Sequence, residues 1–310
     1  MTVGVALKPD RNVESGLDLI LPVQLKQDQM KLMRIGPLGK EKPAVLDAEG
    51  TVRDLSGHLT DIDGAALSDS SLASIAALDL SGLPEISATE RIGACVGNIG
   101  KFICIGLNYS DHAAESGVEV PPEPVVFFKA TSAVCGPNDN IEIPRDSSSL
   151  DWEVELAIVI GKDGKYIEEK NAFQHIAGYC VVNDVSEREF QLHRSGQWVK
   201  GKSADTFGPT GPWMVTRDEI PDAQNLSMSL EVNGESRQKG STDTMVYKVP
   251  FLVSYVSRFM SLQAGDIIST GTPPGVGLGM KPPQYLKAGD QVSLSIQGLG
   301  QQQQTVVSAA

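Results

Sequence analysis

The sequence predicts an α+β protein that is mostly β, with a small α+β unit over residues 30–97 and a larger domain over 98–310. Three observations lead there. Apolar runs of strand length recur along the chain, as in Phe102–Leu107, Trp152–Ile160 and Ile176–Val182. Turn formers are abundant, with 31 Gly and 18 Pro. Helical spacing is confined to short stretches, Leu67 to Leu78 and Val249 to Phe259, the second with Pro250 in its first turn.

Taken in order, residues 1–29 hold one short apolar run, Leu17 to Leu21, and read as an extension, with Met30 a candidate initiator. In the next unit, Lys31–Ile35 and Pro43–Leu46 read as strands, and the turn Asp47-Ala48-Glu49-Gly50 returns the chain into Val52–Leu55. Nothing in this unit suggests chemistry, and His58 reads as a surface histidine. In the larger domain, Pro124–Lys129 is a strand that ends on a lysine. Asn233-Gly234 marks a hairpin after Leu226–Val232. Asp266 to Thr270 is a strand running into the Gly/Pro loop 271–277, whose backbone N–H groups suit an anion. A last strand covers Gln291–Ile296, and Gln301–Gln304 reads as a solvated polar tract.

Charge and composition exclude several classes. The formal net charge of −13 offers no signal for nucleic-acid or anionic-membrane binding. No run of about 18 apolar residues is present, so no membrane span is expected. The four cysteines, Cys95, Cys104, Cys135 and Cys180, form no Cys-x-x-Cys pair and point to a reducing, cytoplasmic compartment.

The chemistry concentrates between Leu150 and Lys202. In a strand, residues i and i+2 share a face, so Glu153 and Glu155 project side by side. Asp184 follows the apolar run from Ile176 and supplies a third carboxylate at a strand end. Three oxygen ligands without a nearby Cys or His pair suit a hard cation, Mg²⁺ or Mn²⁺. The same Glu-x-Glu spacing is also the pattern of a solvated strand face. The continuously apolar Leu156–Ile160 favours the metal, because it puts the carboxylates at the mouth of a core strand. Upstream, His112 and Glu115 have helical spacing that lets the carboxylate orient the imidazole as a base, although a solvated surface pair has the same spacing.

With these pieces in order, the chain resembles the fumarylacetoacetate hydrolase family over roughly residues 100–308. The resemblance rests on Asn108-Tyr109 with His112 and Glu115, Phe128-Lys129, Glu153-Val154-Glu155, and Asn183-Asp184 with Arg188 and Gln191. It continues through Gly201-Lys202-Ser203, Gly271-Thr272-Pro273 and Gly275-Val276-Gly277. The short members are most similar: acylpyruvases, oxaloacetate decarboxylases or tautomerases, and bacterial 2,4-diketo-3-deoxy-sugar-acid hydrolases. The resemblance implies a mixed, rolled β-structure with flanking helices, and a homodimer. It implies Glu153, Glu155 and Asp184 as ligands to Mg²⁺ or Mn²⁺, and His112 with Glu115 as a lid dyad. Lys202 is expected on the substrate oxyanion, with Lys129, Ser132, Arg188, Gln191 and Thr272 around a small anionic 2-keto acid. The founding hydrolase has a further metal-bound aspartate, for which no counterpart is found here. The expected activity is cleavage of a 2,4-diketo-3-deoxy sugar acid, such as the fuconate or rhamnonate derivative, to pyruvate and a hydroxy acid. Oxaloacetate tautomerisation or decarboxylation, 2-hydroxyhepta-2,4-diene-1,7-dioate isomerisation, ureidoglycolate lysis and non-catalytic binding are the alternatives.

Overall fold

A computed structural model describes residues 1, 30–111 and 121–309. The expectations for the N-terminal extension, and for His112 and Glu115, lie outside the described residues.

The architecture follows from one strand. Val154–Ile160 is buried at every position, and its side chains alternate between two cores. Val154, Leu156, Ile158 and Ile160 face one core, while Ala157 and Val159 face the other. That alternation is why the run from Leu156 to Ile160 is apolar without a polar break. Its neighbour Ile176–Asn183 pairs with it antiparallel, and the register places Val154 opposite Asn183. On the other side Ile267–Ser269 pairs antiparallel, followed by the parallel strand Phe102–Gly106 and the antiparallel Val125–Lys129. These belong to an eleven-stranded mixed sheet.

The segment from residue 30 joins this same sheet. Lys31–Ile35 pairs with Gly208–Thr216, bringing Lys31 opposite Val215 and Leu32 opposite Met214. Lys42–Leu46, Val52–Asp54 and Glu85–Ile86 extend it outward. The helix Asp69–Ala76 is capped by Ser68, whose side chain accepts from the Ser71 N–H. It buries Leu72 and Ile75 against Ala157, Val159, Cys180 and Val182. The two units recognised in the sequence therefore share one core layer.

A second sheet of five strands covers the opposite face. Its order runs Glu235–Ser241, Ser227–Val232, Gln291–Ile296, Gly300–Ser308, Ile141–Ile143. Leu230, Val292, Leu294 and Ile296 pack from it onto Leu156, Ile158 and Val181. The Asn233-Gly234 turn has both residues at positive φ, 54° and 76°, as a two-residue hairpin loop requires. The glutamine tract departs from expectation. It lies within Gly300–Ser308, so the period of two turns Gln302 and Gln304 inward, where both are fully buried, and leaves Gln301 and Gln303 exposed. All four cysteines are free and buried. No helix among the described residues is long and apolar enough to cross a membrane.

The contact of Ile176–Asn183 with Gly208–Thr216 depends on Gly178. A Cβ there would lie 2.2 Å from the Val215 carbonyl oxygen. Gly178→Ala is expected to cost about 1–3 kcal/mol through the forced backbone shift, read as a lower urea midpoint. An unchanged midpoint would contradict this strand register.

Candidate active site

The three predicted carboxylates meet. One oxygen each from Glu153, Glu155 and Asp184 lie within 4.8 Å of one another, and all three residues are buried. The sheet delivers them. Val154 sits opposite Asn183, so the residues just outside that pair, Glu153 and Asp184, are neighbours, and the Asp184 N–H donates to the Glu153 carbonyl at 2.9 Å. Glu155 lies inside the strand. Its Oε2 accepts from the Ser269 hydroxyl at 2.6 Å and from the Gly271 N–H at 3.0 Å. Gly271 supplies that N–H from φ +99°, a conformation that favours glycine.

Buried cations converge on the cluster. Lys202 Nζ bridges Glu153 Oε2 and Asp184 Oδ2, each at 2.8 Å. Arg188 donates Nη2 to Glu153 Oε1 at 2.6 Å, Nε to Asp151 Oδ2 at 2.8 Å and Nη1 to Gln191 Oε1 at 3.0 Å. Asp151 is fully buried and also accepts from the Gly277 N–H at 2.7 Å and the Leu278 N–H at 3.0 Å. The Gly/Pro loop thus spends its N–H groups on the chain's own carboxylates, Glu155 and Asp151. Lys129 Nζ lies against Asp184 Oδ1, and donates to the carbonyls of Val185 at 3.0 Å and Lys202 at 2.7 Å.

Glu153 and Glu155, with Arg188 and Lys202, line a cavity of about 520 Å³. Apolar side chains complete the lining: Phe127, Leu192, Trp198, Val276, Leu278 and Met280. Trp198 packs edge-on to Phe127, with centroids 5.2 Å apart at 62°. Its indole fits only because residue 106 is glycine, where a Cβ would lie 2.6 Å from the Trp198 ring. Lys202 Nζ also sits 5.1 Å from the Phe127 ring centroid.

Of the expected substrate residues, Arg188, Gln191, Lys202 and Thr272 line the cavity. The Thr272 hydroxyl is already engaged, donating to the Val154 carbonyl at 2.9 Å and accepting from Gln238 Nε2 at 2.8 Å. Lys129 does not line the cavity and instead supports Asp184 from behind. Ser132 corrects the expectation outright: it is exposed on the short helical turn Thr131–Ala133 and does not line the cavity. Asp151 was missed, although the spacing Asp151-x-Glu153-x-Glu155 was available as a signal. Nothing local marked Trp198 or Gln238.

The electrostatics favour a further cation. Burial raises the Glu153 pKa, but Arg188 and Lys202 outweigh it and hold the carboxyl at about 2. Glu155 goes the other way: burial, then the Asp184 and Glu153 charges, push its carboxyl well above the usual range. Fully ionised, Asp151, Glu153, Glu155 and Asp184 would set four negative charges against the three positive charges of Lys129, Arg188 and Lys202, an imbalance that a divalent cation relieves. Asp184 Oδ1 is buried in an ion pair with Lys129 Nζ. A buried, all-oxygen donor set whose atoms lie within 4.8 Å of one another fits a hard divalent ion held by Glu153, Glu155 and Asp184. Asp184→Asn is expected to release Mn²⁺ that the parent retains through gel filtration, measured by elemental analysis. Full retention by a folded variant would remove Asp184 from the ligand set.

Known proteins share this chain's sequence and fold. A hydrolase of Burkholderia multivorans, named without a substrate, is 60% identical over 281 residues, covering 90% of this chain and all of the relative. The fumarylacetoacetate hydrolase structure from Exiguobacterium antarcticum superposes with a TM-score of 0.81 at 38% identity, covering 90% of this chain and all of that one. The 2-hydroxyhepta-2,4-diene-1,7-dioate isomerase from Mycobacterium marinum gives 0.73 at 33% identity over 91% of this chain and 99% of its own. Maleylpyruvate hydrolase from Sphingobium sp. SYK-6, in complex with manganese(II) and pyruvate, gives 0.76 at 28% identity over 91% of this chain and all of its own. The sequence pattern of the fumarylacetoacetate (FAA) hydrolase C-terminal family matches residues 101–307, and the chain belongs to that family.

Proposed function

We propose that the protein is a divalent-metal-dependent hydrolase that cleaves the C3–C4 bond of a 2,4-diketo acid, releasing pyruvate and a second carboxylic acid. The observation that carries this reading is the buried carboxylate triad, two members of which, Glu153 and Glu155, line a cavity that is otherwise largely apolar. The manganese and pyruvate bound to the similar maleylpyruvate hydrolase support it.

In this reading Glu153, Glu155 and Asp184 hold the ion, which when bound acts as a Lewis acid on the 2-keto oxygen. Lys202 Nζ, at the junction of Glu153 and Asp184, stabilises negative charge as it develops on the departing pyruvate half. Arg188 keeps Glu153 ionised and oriented through its bonds to Asp151 and Glu153. His112, oriented by Glu115, takes a proton from water, whose oxygen attacks C4. The C3–C4 electron pair passes to C3, which is then protonated.

The apolar wall moves the reading from a hydroxylated sugar acid toward an apolar distal acyl group. Arg188 spends one N–H of each of its nitrogens on Asp151, Glu153 and Gln191 Oε1, and Ser132, expected to meet a sugar hydroxyl, lies outside the cavity. Lys281 in the cavity wall favours a second reading, in which the distal end carries a carboxylate as in a dioate.

Pyruvate release from straight-chain acylpyruvates, a diketo dioate and 2,4-diketo-3-deoxy sugar acids tests this. The expected result is Mn²⁺-dependent release, with kcat/KM rising about fourfold per added methylene, since each buried methylene contributes about 0.8 kcal/mol. No metal-dependent pyruvate from any of them would overturn the hydrolase; a preference for the sugar acids would overturn the apolar reading. His112→Ala is expected to lower kcat by about 10²–10⁴-fold with Mn²⁺ still bound, and unchanged turnover would remove His112 as the base.

A further inference from the structure

Glu153 carries one of the three carboxylates, yet it lies outside the regular strand, which begins at Val154. Its backbone N–H donates instead to a side chain, Asn183 Oδ1, at 3.1 Å. Asn183 Nδ2 in turn donates to Gln304 Oε1 at 3.1 Å. Gln304 Nε2 donates to Gln302 Oε1 at 2.9 Å and also to the Pro137 carbonyl. Gln302 Nε2 ends the chain among three carbonyls, Val181 at 2.9 Å, Gly211 at 3.0 Å and Pro209 at 3.3 Å. All three amide side chains are fully buried.

The direction of this relay is fixed. Gln302 must aim its NH₂ at the three carbonyls, because its carbonyl there would meet only acceptors. That leaves Gln302 Oε1 for Gln304, Gln304 Oε1 for Asn183, and Asn183 Oδ1 for the Glu153 N–H. Flipping any member puts donor against donor or acceptor against acceptor in a buried site, where an unmet polar group costs about 1–3 kcal/mol. The relay also crosses between layers, since Gln302 and Gln304 belong to the five-stranded sheet and Asn183 to the eleven-stranded one.

We propose that Gln302 and Gln304 are positioning residues for the metal centre. They fix Asn183, and through it the Glu153 backbone, so that the Glu153 and Asp184 carboxylates are set for the ion before it arrives. The proposal rests on the metal-dependent reading of the site.

The test is Mn²⁺ affinity, read from the electron paramagnetic resonance signal of the free ion titrated with full-length protein. Near-UV circular dichroism reports folding. Gln304→Met keeps the side-chain length and removes the amide, and is expected to weaken Mn²⁺ binding about 10–100-fold, as loss of groups that orient ligands does. Gln302→Met, one link further away, is expected to weaken it less. Ser257→Ala is the control. It removes a buried hydroxyl that accepts from the Ile167 N–H at 2.8 Å and donates to the Ser254 carbonyl at 2.7 Å, with no link to the site, and should leave affinity unchanged. Folded variants of both glutamines with parental affinity would overturn the proposal, as would an equal loss in Ser257→Ala. Failure of both glutamine variants to fold would also overturn it, because the amides then serve the fold rather than the ion. A parent that binds no Mn²⁺ overturns the metal reading and the proposal together.

Discussion

Carboxylates packed this closely in a protein interior repel one another, and burying each carries a desolvation penalty of several kcal/mol. The structure around Glu153, Glu155 and Asp184 is organised to offset that. Lys129, Arg188 and Lys202 are drawn inside to face them, although lysine and arginine are seldom buried unless paired. The two short helices Arg188–His193 and Val199–Lys202 place two of these cations. Burial, then the Asp184 and Glu153 charges, push the Glu155 carboxyl up. A cation beside it would offset both, which is the physical reason to assign one to the site.

The scaffold explains why the cluster is held rather than splayed. A strand buried on both faces cannot shift register without moving its side chains into the wrong core. The antiparallel pairing of Val154 with Asn183 therefore fixes where Glu153 and Asp184 emerge. The loop after Ile267–Ser269 then wraps the same end of the strand, and its N–H groups close on Glu155 and Asp151. Backbone donors of this kind hold an anion without adding a side chain to the cavity, which leaves room for substrate beside Trp198 and Phe127.

How much of this was legible in the sequence depended on distance along the chain. Glu153, Glu155 and Asp184 were readable because period-two geometry and the ends of apolar runs are local facts. The Asn233-Gly234 hairpin and the strands on either side were readable for the same reason. The glutamine tract is half buried, where its polarity alone suggests exposure. In a strand only alternate residues face out, and a buried glutamine is stable where carbonyls such as those of Val181 and Gly211 await its NH₂. Joining of residues 30–86 to the main sheet needed the Lys31 and Val215 pairing across the chain, which no local pattern encodes. Ser132 is polar and close in sequence to Lys129, yet the turn Thr131–Ala133 leaves it exposed and outside the cavity lining. The apolar wall, which sets the reading of the substrate, came from tertiary approach alone, with Gly106 making space for Trp198.

The central claim is that Glu153, Glu155 and Asp184 share one divalent ion. Anomalous diffraction at the manganese edge from crystals soaked in Mn²⁺ tests it most directly. The account predicts one strong peak among the three carboxylates, within ordinary coordination distance of an oxygen from each. A map with no peak there, and with Lys202 Nζ still the sole cation bridging Glu153 and Asp184, would contradict it.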